Sequence, residues 1–306
     1  MKSGKLPEEK SSLEINATGL LLTLTESVRK RKRIPAGSTR RNVGTDGVII
    51  HTANRDRHRE QAEFFLDAGK SVFLDKPFAG NPRDVFRLLN RLRNGVRLTG
   101  GSSLRYCRES AELLAFPEAE RGRIHTVCVS IGNDEFNYGI HGYSMICGIL
   151  GGGSLSARFL PGTEKKQIFM RWSNGAAAFL TLAKPAALPF NAAVTTDKKL
   201  FRITVDNRGI YRSLLRKTLP YLTGMSDVPP TAPESLFEPE LLAMAARKSW
   251  ENGGAEMFLR DLRPDDPGYD GHKFAAEYRR SRFPEASLCF PAWKKSPAHI
   301  SDRPCP

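Results

Sequence analysis

"DGVIIHTANRDRHREQAEFFLDAGKSVFLDKPFAGNPRDVFRLLNRLRNGVRLTG", running from Asp46 to Gly100, decides the fold. "GVIIHT" (Gly47 to Thr52) is a continuous apolar run, the pattern of a strand covered on both faces. "RHREQAEFFLDAGK" reads as a helix with Ala62, Phe65 and Leu66 on one side and Gly69 where a glycine stop belongs. "SVFLD" is the next strand. In "NPRDVFRLLNRLRNG", Asn81 stands as N-cap, Pro82 at the first helical position and Asp84 in the first turn. Val85, Leu88, Leu89 and Leu92 make the apolar stripe, which Gly95 ends. "VRLTG" supplies a third strand. Strand–helix–strand–helix–strand at this spacing predicts right-handed parallel βαβ units.

Ligands of an open parallel sheet sit outside the carboxyl ends of its strands. Those ends are Thr52-Ala53-Asn54, Asp75-Lys76-Pro77 and Gly100-Gly101-Ser102, so polar groups converge on one edge of the sheet, Lys76 among them. Every strand must end in polar loop residues, and the pattern alone does not separate a site from ordinary loops.

After Leu104 the texture changes. "SAELLAF" reads as a helix, "IHTVCVSI" (Ile124 to Ile131) as a strand and "NYGIHGYSMICGILGGG" (Asn137 to Gly153) as a helix closed by glycines. Five strand-like runs follow: "SLSARFL", "KQIFMRW", "AAAFLTL", "NAAVTT" and "LFRITV". Two helices come next, near Tyr211 to Thr223 and Pro239 to Trp250, then a short "AEMFLRDL". This order predicts an α+β unit with a large, mostly antiparallel sheet. The chain divides into a basic, poorly structured segment (1–45), a parallel βαβ unit (46–103), the α+β unit (104–262) and an irregular tail without usable periodicity (263–306).

With 306 residues, 40% apolar and 26% charged, the chain has the composition of a soluble globular protein long enough for two domains. No apolar run approaches the roughly 18–20 residues of a membrane span. "GLLLTL" (Gly19 to Leu24) is too short for a signal-peptide core, and no small-residue cleavage pattern follows it; the expected location is cytoplasmic. Cys107, Cys128, Cys147, Cys289 and Cys305 form no CxxC pair and no His/Cys zinc spacing. They read as reduced thiols, with Cys128 and Cys147 as core fillers, and no metal is expected. The net charge of +14 favours a polyanionic partner. Its densest block, "RKRKR" (Arg29 to Arg33) with "TRR" (Thr39 to Arg41), has no helix-turn-helix, zinc-finger or aromatic-rich pattern beside it. It reads as a solvated basic arm, and nucleic acid is not the expected partner.

The stretch "DGVIIHTANRDRHREQAEFFLDAGKSVFLDKPFAGNP" resembles the glucose–fructose oxidoreductase / inositol dehydrogenase (Gfo/Idh/MocA) family. Members typically read "D-x-V-x-I-x-T-P-N-x-x-H" into a helix and then "A-G-K-H-V-x-x-E-K-P"; here Thr52, Asn54 and His58 stand in the first motif and Asp75-Lys76-Pro77 in the second. "NYGIHGYSMICGILGG" is similar to the family's "D-x-G-x-H-x-x-D" helix, and the run from Leu222 to Leu259 resembles its closing helices and last strand. The likeness spans roughly Asp46 to Leu262 in order and spacing.

The resemblance implies a Rossmann-type domain followed by a mixed α/β substrate domain. It also implies hydride exchange between NAD or NADP and a sugar, polyol or related hydroxyl compound, with a homo-oligomer as one expected assembly. Removing a hydroxyl proton as hydride leaves carbon needs a base within hydrogen-bond reach, which His141 fits. A cation beside the developing oxygen charge fits Lys76, which could also share the proton transfer. By the same resemblance Thr52, Asn54, His58, Asp75, Lys76 and Pro77 face the nicotinamide; in relatives the Lys–Pro bond is often cis. Asn137, Arg105 and Ser144 help bind substrate. In the family the positions of Asn137 and Ser144 are commonly aspartates that orient the histidine; Asn and Ser can hydrogen-bond but bring no charge to raise its basicity.

One departure stands out. Family members open with a strand and a G-x-G-x-x-G/A turn whose N–H groups hold the pyrophosphate. Residues 1–45 contain no such turn; "PAGSTRRNVGTDG" follows no convincing strand and opens no helix. The Rossmann half reads as incomplete, and the parallel strands are expected to expose an unpaired edge. Three readings stay open: a family oxidoreductase present as a truncated product, a family-derived binding or scaffold protein that has lost dinucleotide binding, and a divergent cofactor site within residues 1–45.

Overall fold

The computed structural model describes residues 20–24, 47–132, 134–162, 164–183 and 188–282. The decisive stretch folds as its pattern requires. Strand β1 (Leu20–Leu24) precedes β2 (Gly47–His51), α1 (His58–Asp67), β3 (Ser71–Leu74), α2 (Pro82–Arg93) and β4 (Leu98–Gly100). β2, β3 and β4 pair in parallel, in that order. Asn81 caps α2, its side chain accepting from the Asp84 amide at 2.9 Å, and Val85, Leu88, Leu89 and Leu92 are all buried.

The free edge expected beside β2 is absent. β1 pairs antiparallel along the whole of β2, from Leu20 opposite His51 to Leu24 opposite Gly47. The short strand thus satisfies the backbone groups that a lone edge would expose. The basic blocks at Arg29–Arg33 and Thr39–Arg41 lie outside the described residues.

The second unit opens with α3 (Arg108–Ala115) and α4 (Glu118–Arg121), then β5 (Ile124–Gly132) and α5 (Gly139–Leu150). Strands β6 (Ser154–Leu160), β7 (Lys166–Trp172), β8 (Ala177–Ala183), β9 (Asn191–Thr196) and β10 (Leu200–Thr204) follow. Helices α6 (Ile210–Leu222) and α7 (Pro233–Glu251) and the two-residue β11 (Met257–Phe258) complete it. The sheet runs β10-β9-β5-β8-β7-β6-β11 and is antiparallel except where β5 meets β8. The chain is an α/β protein with a short parallel sheet and a large, mostly antiparallel one.

Period-two alternation along β5 sends Val127, Val129 and Ile131 into the core under α5 and turns Cys128 outward. Cys128 is therefore exposed and not a core filler, whereas Cys147 on α5 is buried. Two further expectations are corrected. α7 begins at Pro233, six residues before the Pro239 that sequence placed at its start. The tail is not irregular throughout: Gly271–Arg282 forms a helix, α8. Among the described residues no helix is long and apolar enough to cross a membrane.

Candidate active site at the strand ends

Three chain segments build the site. The first is the β3 end, Asp75-Lys76-Pro77, where the Lys76–Pro77 peptide is cis. The second is the β4 end. Gly100 takes φ +135°, and a Cβ there would stand 2.0 Å from the Leu74 carbonyl; only glycine lets β4 turn this close to β3. The turn delivers Ser102. The third is α5, which approaches the Ser103–Tyr106 turn so closely that a Cβ on Gly148 would meet the Arg105 carbonyl at 2.5 Å. That approach sets His141 beside Ser102.

Lys76 and His141, 65 positions apart in sequence, come together around Tyr138. The Lys76 amine donates to the Asn137 carbonyl at 3.0 Å and stands 5.5 Å from the Tyr138 ring centroid. The His141 ring lies edge-on to the same ring at 5.9 Å, with Phe190 at 5.4 Å on another side. Burial pushes the Lys76 amine below the ordinary lysine range, and the charges of Asp75 and Asp134 offset part of that. Burial, then the Lys76 charge, holds His141 well below its ordinary value, with Asp75 opposing; its imidazole is neutral at pH 7. Tyr211, at the start of α6, feels the charge of Asp75 and borders the same space; burial first, then Asp75 and Tyr138, raise its phenol.

The histidine is oriented by a residue that sequence did not single out. Ser102 Oγ lies 2.7 Å from His141 Nδ1 and also accepts the Leu104 amide at 3.1 Å. With two lone pairs and one proton, the hydroxyl can hold either His141 tautomer. The only signal in the sequence was its place at the end of a parallel strand. Asn137 and Ser144 are the positions on either side of His141 expected to help bind substrate. Asn137 accepts from Arg55 at 2.5 Å and donates to Asp134 at 3.1 Å, which braces its amide between the two. Ser144 is buried within α5.

Arg105 also bonds within the protein. Its guanidinium donates to the Ser235 carbonyl at 2.6 Å. Pro239 lies four residues beyond Ser235 inside α7 and has no N–H to give that carbonyl. Arg105 supplies the missing donor, which explains how α7 runs through a proline.

The residues expected to face a nicotinamide have divided roles. Asp75 pairs with His51; burial alone would lift its carboxyl, but the His51 bond and the His51 and Lys76 charges hold it below the usual range. Thr52 donates to Gln61 at 3.1 Å. Asn54 caps the short turn before α1, accepting from the Asp56 amide at 3.1 Å, and meets His272 of α8 at 3.0 Å. Asp56 in turn accepts from the Gly271 and His272 amides at 2.8 and 3.2 Å, pinning the first turn of α8. His58 is enclosed, and both ring nitrogens face main-chain carbonyls, Pro77 O at 2.9 Å and Thr52 O at 3.0 Å.

For a dinucleotide, the donor set fits at one end. Lys76, His141 and Asp75 are suited to the reacting end of a nicotinamide and its substrate. Among the described residues no glycine-rich turn opens a helix to hold a pyrophosphate.

Residues 32–100 match the family model described as an oxidoreductase family with an NAD-binding Rossmann fold. No curated protein matches the chain in sequence. Solved structures share its fold at low identity. A probable dehydrogenase from Thermotoga maritima is 18% identical with a TM-score of 0.59, over 72% of this chain and 83% of that one. An oxidoreductase from Agrobacterium radiobacter, in complex with NAD+, L-tartaric acid and magnesium, is 17% identical with a TM-score of 0.59, over 71% and 81%. The myo-inositol dehydrogenase from Lactobacillus casei, in complex with NAD(H) and myo-inositol, is 13% identical with a TM-score of 0.60, over 71% and 78%. Residues 32–100 thus match that family's model, and the chain as a whole shares the fold of these dehydrogenases.

Proposed function

We propose that the chain is an NAD- or NADP-dependent oxidoreductase acting on a hydroxyl group of a sugar, polyol or related small molecule. One observation carries the reading: an amine and a neutral imidazole, brought from separate units, flank one tyrosine ring at the carboxyl ends of parallel strands. A bound nicotinamide would supply the hydride acceptor. The protein's own residues do the rest. His141, neutral at pH 7, takes the hydroxyl proton as the C–H bond breaks and the carbonyl forms, while Ser102 holds its Nδ1. The Lys76 ammonium stabilises the negative charge that grows on the oxygen. Tyr138 and Tyr211 present partly exposed rings at the mouth, suited to the apolar face of a sugar ring.

A second reading, a family-derived binding protein that has lost the dinucleotide, is favoured by the commitment of Asn54 to His272 and of His58 to backbone carbonyls. Titration of the purified protein with NADH and with NADPH, followed by fluorescence, separates the two. Micromolar binding that weakens on Lys76→Met supports the oxidoreductase. No binding at millimolar cofactor removes it and leaves the binding protein.

A further inference from the structure

The peptide unit that follows the Lys76–Pro77 pair is held at both of its poles. Its carbonyl, Pro77 O, faces His58 Nδ1 at 2.9 Å. Its amide, Phe78 N, donates to Glu240 Oε1 at 3.0 Å. The two side chains come from different elements, His58 from the first turn of α1 and Glu240 from the middle of α7, and they are 1% and 2% exposed. A histidine and a glutamate are costly to bury, and neither is explained by packing alone. The other His58 nitrogen reaches Thr52 O at 3.0 Å. The last main-chain bond between the strand ends is Asp75 N to Ile50 O, and the His58 ring lies between the two chain ends just past it, its one N–H shared between the two carbonyl positions. Glu240 Oε2 is buried and has no partner among the described residues, so the carboxyl's bond there is the one to the loop.

We propose that His58 and Glu240 are positioning residues that grip the Pro77–Phe78 peptide and thereby fix where the Lys76 amine stands. This rests on the reading of Lys76 as the functional amine. Among the described residues the Lys76 side chain is hydrogen-bonded at its tip alone, to the Asn137 carbonyl, so the place of its Cα is set by the loop that His58 and Glu240 hold. The groups facing the amine are Asp75 on its own loop, Asp134 ahead of α5, His141 on α5 and the Tyr138 ring. His58 faces Asp75 and His51, and Glu240 faces Arg105. A shift of the loop changes the distances from the amine to these charges and its exposure to water, so the titration of Lys76 reports the grip directly.

The test is the titration of isotopically methylated lysines by NMR, with the Lys76 signal identified by its loss in Lys76→Arg. In Glu240→Met, which removes the acceptor, the Lys76 midpoint should move by half a pH unit or more toward that of a free lysine. Glu240→Gln, which keeps an acceptor for the Phe78 amide, should leave it in place. Lys248, bound to Asp266 at 2.8 Å on the far part of α7, should not respond in either variant. Should Glu240→Met fail to fold, His58→Leu, which removes the ring donor, carries the same expectation. An unmoved Lys76 midpoint in a folded Glu240→Met or His58→Leu protein overturns the proposal. The measurement needs neither cofactor nor turnover, so an inactive protein would refute the function without touching this result.

Discussion

The Arg105 guanidinium donates to the carbonyl of Ser235, the acceptor that Pro239 leaves without an intrahelical N–H. Arg105→Ala should therefore destabilise the fold by about 2 kcal/mol, the cost of a buried carbonyl stripped of a charged donor. Introducing Pro239→Ala restores an N–H at the right place. Chemical denaturation of the four proteins in a double-mutant cycle should show Arg105→Ala costing less in the Pro239→Ala background. Equal costs in both backgrounds would separate Arg105 from the proline.

Glu240 ties pH to stability. Burial raises its carboxyl to about 7, against the Phe78 hydrogen bond and the Arg105 charge, which lower it. The folded state thus holds a proton that the unfolded chain has released above about 4.5. By linkage, stability should fall as pH rises from about 4.5 to 7 and level off above that. Glu240→Gln should remove this part of the slope and stabilise the protein at pH 8 by roughly 2–3 kcal/mol, read from urea midpoints at several pH values.

His51 and Asp75 form a partly exposed pair at the mouth of the site. The Asp75 hydrogen bond, more than its charge, raises the His51 pKa against burial, while Asp75 is lowered. The pair is fully formed where His51 is protonated and Asp75 ionised. Its contribution fades as pH climbs through the raised His51 value and again as acid protonates Asp75. Asp75→Asn should bring the His51 titration, followed by its ring proton in NMR, down toward or below the ordinary histidine value.

Asp56 is the cap of a helix more than two hundred residues away. Asp56→Ala should cost about 1 kcal/mol, in the range of a lost N-cap. The loss should be local: amides from Gly271 to Phe274 exchange faster in deuterium while those of α2 do not.

His141→Gln should abolish any turnover found with a hydroxyl substrate while leaving NADH affinity within about threefold, because the side chain meets the reacting oxygen and not the dinucleotide. Ser102→Ala should lower kcat by roughly tenfold or more with a smaller change in KM, since it orients the base and does not bind substrate. Steady-state kinetics on a polyol panel check both.

The parallel unit was legible because each element carried its own local signal: the Asn81 cap, Pro82 at the first helical position, the Val85–Leu92 stripe and the glycine stops. The motifs singled out Lys76 and His141, which the fold brings to one tyrosine ring. What escaped depends on contacts with no local signature. α7 was started too late because a proline inside a helix looks like a helix start until Arg105 is seen to satisfy Ser235. α8 has little amphipathic pattern, and its first turn is held by a carboxylate from the other end of the chain. The motif that named His58 and Asn54 gives residue types and carries no sign of their partners in the fold, main-chain carbonyls and a tail histidine. Cys128 was placed inside by its chemistry, but the alternation of β5 turned it out.

β1 has a consequence for assembly. A parallel sheet with a bare border can grow by accepting a strand from a neighbouring molecule, and the full five-residue register of β1 on β2 uses up that border. Any second polypeptide pairing with β2 at that flank would first have to peel this ribbon away, so strand addition there is a competition between an internal strand and an incoming one.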